Sequence, residues 1–252
     1  MLAAGAQVLL TSERDSGDCP EVLAILAKYP GAARYLRRDI LTEATAETLL
    51  DHCWGEFGGC DVLVNNVGTF CEPSFLDVRR EQFEWLFRLN VWSALACSRE
   101  FAQRCIAADR PGRIIFTTSL NATRSEPAHT LYDASKGAIN ALIRQLAVEL
   151  APHNITTVGI APGLIETPLT DYGLASTPIQ RRQIADQIPL RRIGTVADVA
   201  AWYAFLASPS SGYCTGQIIT VDGGLDAQQM PARPIGAAER IGPEFQPHTR
   251  IE

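Results

Sequence analysis

The sequence predicts an α/β fold in which a parallel sheet is covered by helices on both faces. Short apolar segments rich in β-branched residues alternate with longer segments whose apolar residues recur every three or four positions. The segment 113–118 shows the first pattern, and the segment 132–150 shows the second. Strands and helices that alternate in this way favour parallel strands joined by crossover helices.

The other elements follow the same alternation. We predict further strands at 33–36, 61–64 and 155–160, and further helices at 20–28, 44–57 and 81–107. After Gly224 the sequence becomes rich in proline and loses its periodicity. We therefore expect one domain over residues 1–226 and an irregular tail over residues 227–252.

Composition limits the classes of function. The chain has 252 residues and a net charge of −6, which gives no basic face for nucleic acid. It has no run of eighteen apolar residues and no recognisable secretory signal, so no membrane span is expected. The seven cysteines form no C-x-x-C pair, which indicates reduced thiols and a cytoplasmic protein. The four histidines show no metal-ligand spacing, so no metal site is expected.

Three polar residues suggest a proton-transfer site. Tyr132 and Lys136 are four residues apart and therefore share a helix face. A neighbouring ammonium group favours the phenolate and is expected to lower the pKa of the tyrosine towards working pH. Such a pair also occurs by chance on many helices. Ser119 makes the catalytic interpretation stronger, because it follows the strand 113–118, where open α/β sheets bind their ligands.

These residues and four further motifs resemble the classical short-chain dehydrogenases/reductases, a family with a Rossmann-like doubly wound parallel sheet. The resemblance runs from about Gly5 to Gly224. The motifs that match, besides Ser119 and Tyr132-x-x-x-Lys136, are Asn65-Asn66-Val67-Gly68, Leu89-Asn90-Val91, Pro162-Gly163-Leu164-Ile165-Glu166-Thr167 and Val221-Asp222-Gly223-Gly224.

The resemblance implies hydride transfer between a nicotinamide cofactor and a secondary alcohol or ketone. Tyr132 would be the general acid in reduction and the base in oxidation. Ser119 would hydrogen-bond the substrate oxygen, and Lys136 would tune Tyr132 and bind the nicotinamide ribose. Asn90 would hold a water that links Lys136 to bulk solvent.

The resemblance also implies a set of cofactor-binding residues. Besides Tyr132 and Lys136, these are Asp39 and Ile40 at the adenine, Asn66 and Gly68 at the adenosine ribose, and Pro162, Gly163, Ile165 and Thr167 at the nicotinamide. Asp39 could instead be an ordinary loop or capping aspartate.

The end of the second strand of the family fold, residues 7–12 here, discriminates NAD from NADP. An acid there would bind the ribose 2′-hydroxyl, whereas an arginine would receive a 2′-phosphate. Ser12 stands where the NAD-type acid would be, followed by Glu13 and Arg14. Both cofactors remain open, and the uncharged Ser12 beside Arg14 favours NADP.

The chain departs from the family pattern at its start. The expected first strand and its glycine-rich turn, which receive the pyrophosphate, have no counterpart, because residues 1–6 resemble the end of the first helix. Without that strand, we expect the sheet to close the gap or to split. We interpret Met1 as an internal methionine of a longer gene product, and a truncated protein is the alternative.

Substrate and assembly are less well specified by the sequence. The segment 169–190 resembles the family's variable lid and does not identify a substrate, and His129 lies either in the substrate pocket or on a surface loop. The resemblance implies a homodimer or homotetramer formed through helices 81–107 and 131–150. The alternative function is a non-catalytic subunit that acts through assembly with its relatives.

Overall fold

The computed structural model describes residues 1–170 and 177–229, in which six parallel strands form two sheets. One sheet contains β1 and β2, and the other has the order β3-β4-β5-β6. The strands are β1 (Val8–Ser12), β2 (Ala33–Arg37), β3 (Val62–Asn65), β4 (Gly112–Thr117), β5 (Ile155–Pro162) and β6 (Ile218–Val221). The prediction of a parallel α/β sheet is confirmed.

Seven α-helices connect and cover the strands within the described residues. They are α1 (Pro20–Lys28), α2 (Thr45–Phe57), α3 (Arg80–Phe87), α4 (Ser93–Ala107), α5 (Thr130–Leu150), α6 (Pro178–Gln187) and α7 (Val196–Ala207). None of the described helices is long and apolar enough to cross a membrane.

Helices cover both faces of the four-stranded sheet because successive strand residues point to opposite sides. Ile114 and Phe116 face one core, where they meet apolar residues of α2, α4 and α5. Ile115 faces the other core together with Val199 and Leu206 of α7. Each core excludes water from one face and fixes the position of the strand ends that hold the candidate site.

Local signals explain where several helices begin and end. A proline in the first turn of α1 suits a position whose backbone N–H is unpaired in any helix. The helix α2 ends at Gly58, which has a left-handed φ of 72°. The helix α7 begins with a capping box, in which Thr195 accepts from the backbone of Asp198 and donates to its carboxylate.

The sheet is split, which is one of the two outcomes expected. In the described residues β1 pairs with β2 and β3 pairs with β4, but β1 and β3 share no ladder. Among the described residues, β1 and β3 therefore each have one edge that pairs with no other strand. The start of the chain forms a short 3₁₀ turn at Leu2–Ala4, which ends at Gly5 in the left-handed conformation.

The helices differ from the prediction in two places. The predicted single helix 81–107 is interrupted by a π-helical turn, Arg88–Trp92, between α3 and α4. A π turn is a local widening that no hydrophobic period reveals. The helix α7 was not predicted, because its apolar residues are nearly continuous and show no clear period. The middle of the predicted lid, 171–176, and the predicted tail from residue 230 onwards lie outside the described residues.

Candidate active site

The candidate active site lies where β3, β4 and the start of α5 meet. Ser119 follows the carboxyl end of β4 by two residues, and Tyr132 and Lys136 lie in the first two turns of α5. Because β3 and β4 are parallel neighbours, the segment after β3, which contains Gly68, reaches the same edge of the sheet.

Ser119 and Tyr132 are brought close together, although they are thirteen residues apart in the chain. The Ser119 hydroxyl is near enough to the phenol to oppose the rise in the pKa of Tyr132. The hydroxyl of Ser119 is further fixed because it accepts a hydrogen bond from the backbone N–H of Asn121 at 3.1 Å. A substrate oxygen placed at this pair would meet two hydroxyl groups at once.

Lys136 lies directly beside the tyrosine. Its Nζ is 5.6 Å from the centre of the Tyr132 ring and donates a hydrogen bond to the carbonyl of Thr117 at 2.9 Å. Only 5% of the residue is exposed. Because burial penalises the charged form, the pKa of Lys136 falls to about 8.

The pKa of Tyr132 shifts in the opposite direction from the prediction. Burial raises it above its usual value, and the negative charges of Asp133 and Glu126 add to that rise, while the hydrogen bond from Ser119 opposes it. In the folded chain alone, desolvation of the phenol therefore outweighs any effect of the neighbouring Lys136.

Asn90 is buried in the π-helical turn and bridges three segments. Its carboxamide accepts from the backbone N–H of Thr69 at 3.0 Å and donates to the carbonyl of Thr69 at 2.8 Å. It also donates to the hydroxyl of Ser135 at 3.0 Å, and that hydroxyl donates to the carbonyl of Tyr132 at 2.8 Å. The side chain of Asn90 thus holds the Gly68 loop against α5. The predicted water-binding role of Asn90 stays a prediction.

The glycine at position 68 allows this close packing. A Cβ atom added there would lie 3.4 Å from both the Asn90 carboxamide oxygen and the Lys136 Nζ. These distances place the Gly68 backbone directly against both side chains. Gly68, Asn90, Ser119, Tyr132 and Lys136 therefore lie close together at the carboxyl edge of the four-stranded sheet.

Aromatic and acidic side chains that the sequence analysis did not assign surround the tyrosine. Phe70 stacks on His129 with ring centres 5.7 Å apart, and both rings meet Tyr132 edge-on at 5.8 and 6.0 Å. The imidazole Nε2 of His129 lies 3.5 Å from Glu72 and 3.8 Å from Glu126. His129 therefore lies beside the tyrosine and not on a remote surface loop.

Ser135 was also missed, although the sequence contains a signal for it. It lies within the Tyr132-x-x-x-Lys136 motif, three residues after the tyrosine, and is fully buried. A serine on the buried face of a helix needs a hydrogen-bond partner, and this requirement could have indicated its contact with Asn90.

The predicted nicotinamide-binding residues follow β5. Pro162 ends that strand, and Gly163 packs so closely on Asp222 that an added Cβ would lie 2.6 Å from the Asp222 Cβ. Ile165 is buried and pairs with Gly194 in an isolated bridge. The backbone N–H of Thr167 donates to the Thr170 hydroxyl at 3.0 Å.

The predicted adenosine-binding residues lie in three different surroundings. Asp39 is exposed, and its carboxylate accepts from the backbone N–H of Leu41 at 2.9 Å. Ile40 packs against the core beneath α2 and α4. The side-chain oxygen of Asn66 accepts from the Thr117 hydroxyl at 2.7 Å, which attaches the loop after β3 to the end of β4.

Ser12 and Arg14 lie at the carboxyl end of β1. The hydroxyl of Ser12 donates to Glu13 at 3.2 Å and accepts from the backbone N–H of Arg14 at 3.2 Å. Ser12 pairs in register with Arg37 at the end of β2, and Arg37 binds Asp15 at 2.8 Å. The side chain of Arg14 is exposed at this end of the sheet.

Comparisons with known proteins agree with this geometry. Residues 1–226 match a family model described as enoyl-(acyl carrier protein) reductase. The chain is 36% identical over 237 residues to a glucose and ribitol dehydrogenase homolog of Oryza sativa subsp. japonica, covering 88% of this chain and 78% of that protein. It is 32% identical over 225 residues to a glucose 1-dehydrogenase of Gluconobacter oxydans, covering 88% of this chain and 83% of that protein.

A similar solved structure is a gluconate 5-dehydrogenase of Burkholderia cenocepacia in complex with NADP and tartrate. It superposes with a TM-score of 0.81 at 26% identity, over 90% of this chain and 88% of that chain. The two proteins therefore share the same overall fold. The chain therefore belongs to the classical short-chain dehydrogenase/reductase family of oxidoreductases, whose members act on CH–OH groups.

Proposed function

We propose that this protein transfers a hydride between NADP(H) and a secondary alcohol or ketone, with Tyr132 as the general acid and base. The observation that carries the proposal is that Ser119 and the Nζ of Lys136 both lie beside the side chain of Tyr132. No role in assembly alone needs a hydroxyl pair and a buried ammonium group at one strand end.

The residues at the nicotinamide end fit the cofactor. The buried ammonium group of Lys136 has three donors, and Thr117 accepts from one of them. The remaining donors suit the hydroxyls of a ribose. The close approach allowed by Gly68 and the strand end at Pro162 leave backbone and small side chains along the cleft. No glycine-rich turn for the pyrophosphate occurs in this sequence. The residues named above would therefore bind the nicotinamide half of the cofactor.

The bound cofactor supplies or accepts the hydride, and the protein handles the proton. In reduction, the Tyr132 hydroxyl donates its proton to the substrate oxygen, while Ser119 stabilises the developing charge on that oxygen by a hydrogen bond. Lys136 stabilises the resulting phenolate through its positive charge. Asn90 keeps the cleft in shape by holding the Thr69 backbone and Ser135 together.

NADP is the proposed cofactor because of the charge at the end of β1. Arg14 presents an exposed guanidinium next to the uncharged Ser12, and arginine binds phosphate well. Relatives support this choice, since the gluconate 5-dehydrogenase was solved with NADP.

A neutral hydroxylated compound is the proposed substrate. Glu72 and Glu126 lie beside His129, which contacts the Tyr132 ring, so groups that can bind hydroxyls lie near the proposed acid. The two carboxylates disfavour an anionic substrate. Several relatives are named for sugars, such as glucose and L-xylulose.

We also propose that the protein assembles into a homodimer or homotetramer through α3, α4 and α5. Large apolar side chains remain exposed on this part of the surface, namely Phe83, Trp85, Trp92, Ile106 and Val148. Light scattering coupled to size-exclusion chromatography would measure the mass directly, and a monomer at micromolar concentration would contradict this proposal.

The function is tested by the Tyr132→Phe variant with NADPH and a panel of sugars and ketones. Loss of the phenolic proton should reduce kcat/KM by about 10²- to 10⁴-fold, the usual contribution of general acid–base catalysis. The matched control is Tyr213→Phe, because Tyr213 is fully exposed and remote from the cleft. Turnover by a folded Tyr132→Phe variant at the level of the control would refute the assigned role.

A further inference from the structure

Two cysteines at the opposite end of β3 are brought near each other by a glycine turn. Cys53 lies in the last turns of α2, and Cys60 lies two residues before β3 begins. Between them the chain reverses at Gly58 and Gly59, whose φ angles are 72° and 156°. The Cys53 thiol then donates to the carbonyl of Gly59, the residue before Cys60, at 3.6 Å, and the Cys60 thiol donates to the carbonyl of Val62 at 3.4 Å.

An arginine fixes this turn from outside. The Arg110 guanidinium donates to the carbonyl of Gly58 at 2.9 Å and binds the Asp61 carboxylate at 2.8 Å. It covers Gly59 so closely that any Cβ atom there would collide with it. The two cysteines are therefore held near each other by a short segment that Arg110 fixes in place.

The two thiols differ in character. The interaction with Cys60 lowers the pKa of Cys53, whereas the same interaction and burial raise the pKa of Cys60. The thiolate is the reactive form of cysteine, so Cys53 is the nucleophile of the pair. Both residues are partly accessible, unlike the buried Cys97 and Cys105.

We propose that Cys53 and Cys60 form a reversible dithiol/disulfide site that is oxidised by hydroperoxides. The Cys53 thiolate attacks a peroxide oxygen, the O–O bond breaks, and water or an alcohol leaves with one further proton from solvent. The resulting sulfenic acid is attacked by the Cys60 sulfur, and the S–S bond forms as the hydroxyl leaves with the Cys60 proton as water. The dithiol loses two electrons, and the peroxide gains them.

This site is independent of the proposed hydride transfer. It lies at the amino end of β3, whereas the catalytic residues gather at the carboxyl ends of β3 and β4. Cys105 is the nearest alternative partner for Cys60, but it is fully buried, and its sulfur contacts the Cys60 carbonyl oxygen at 3.9 Å. The bond is therefore expected between Cys53 and Cys60.

Peptide mapping after mild oxidation tests the proposal. The folded full chain would be treated with hydrogen peroxide, alkylated and digested with trypsin together with a protease that cuts after glutamate. Cleavage after Glu56 places Cys53 in peptide 48–56 and leaves Cys60 and Cys71 in peptide 57–79. We expect these two peptides to be linked, with the loss of two hydrogen masses, and to separate again with dithiothreitol.

Three single variants identify the partners. Cys71→Ser should keep the linkage, whereas Cys53→Ser and Cys60→Ser should abolish it. In Cys60→Ser, Cys53 should accumulate as a sulfenic acid that a dimedone reagent traps, which gives a signal even if the variant is less stable. Complete alkylation of Cys53 and Cys60 after oxidation, or linkage to Cys71 or Cys105 instead, would overturn the proposal.

Discussion

The two ends of the proposed cofactor site differ in how firmly the chain holds their side chains. At the carboxyl edge of the four-stranded sheet, Asn90, Ser135 and Lys136 are buried and hydrogen-bonded across different elements. At the end of the two-stranded sheet, Arg14 and Asp39 are exposed, and Asp39 bonds to a neighbour in its own loop.

This difference corresponds to two different tasks, which are proton transfer in the first region and binding of the cofactor phosphate in the second. Proton transfer needs groups fixed to within a fraction of an ångström, and burial in a packed network provides that precision. Recognition of a phosphate needs a charge that can adjust, which an exposed arginine at a strand end supplies. Substitutions in the first region should therefore change both stability and turnover, while those in the second should change cofactor preference alone.

The largest effect is expected for Lys136→Met. Since burial lowers the pKa of Lys136 from 10.5 to about 8, the folded protein pays for a buried charge below pH 8. Removing that charge should raise the free energy of unfolding at pH 7 by up to about 3 kcal/mol while abolishing turnover.

The sign of the pH dependence of this stability difference follows from the lowered pKa of Lys136. Between pH 8 and 10.5 the unfolded chain holds more protons on Lys136 than the folded chain does, so wild-type stability gains from rising pH in this window. The advantage of Lys136→Met should shrink accordingly. Denaturant unfolding of both proteins at pH 7 and pH 9.5 measures this, and a constant difference would contradict a depressed pKa.

The second-largest effect is expected for Asn90→Ala. The substitution removes both hydrogen bonds to the Thr69 backbone and the one donated to the Ser135 hydroxyl, and it should cost about 2 kcal/mol of unfolding free energy. Turnover should fall more than stability alone explains, because the loop at Gly68 is no longer tied to α5.

Asn140→Ala is the matched comparison for this variant. Asn140 is buried like Asn90 but lies on α5, outside the catalytic group. Its side-chain oxygen accepts from the Thr118 hydroxyl at 2.6 Å. Its loss of stability should be similar, with a smaller loss of kcat/KM. Equal losses of turnover in the two folded variants would show that Asn90 has only a general structural effect.

The smallest effect is expected for Arg14→Ala. Loss of one exposed guanidinium should weaken NADPH binding by about tenfold, or about 1.4 kcal/mol, and leave NADH binding and thermal stability unchanged. Arg34→Ala is the control, since Arg34 pairs with Glu56 away from the strand end. Equal titration curves for NADPH with both variants would show that Arg14 does not bind the cofactor.

Several elements could be predicted from the sequence because their signals are local. The bounds of α1 agree with the prediction, and the residues of the Tyr132-x-x-x-Lys136 motif share a helix face because of helix geometry alone. The π turn at Arg88–Trp92 and the aromatic contact between Phe70 and His129 have no local signal. They depend on packing between segments that are far apart in the chain.

The sequence by itself determined the fold class, the family and the chemical type of the catalytic group, because side-chain type and helical or strand period are written residue by residue. Only the tertiary structure decided that the sheet is split between β1 and β3 and that burial raises the pKa of Tyr132. It also decided that Asn90 holds Thr69 to Ser135 and that Cys53 and Cys60 lie close together. Each of these depends on solvent exclusion and distances that arise when separate segments pack together.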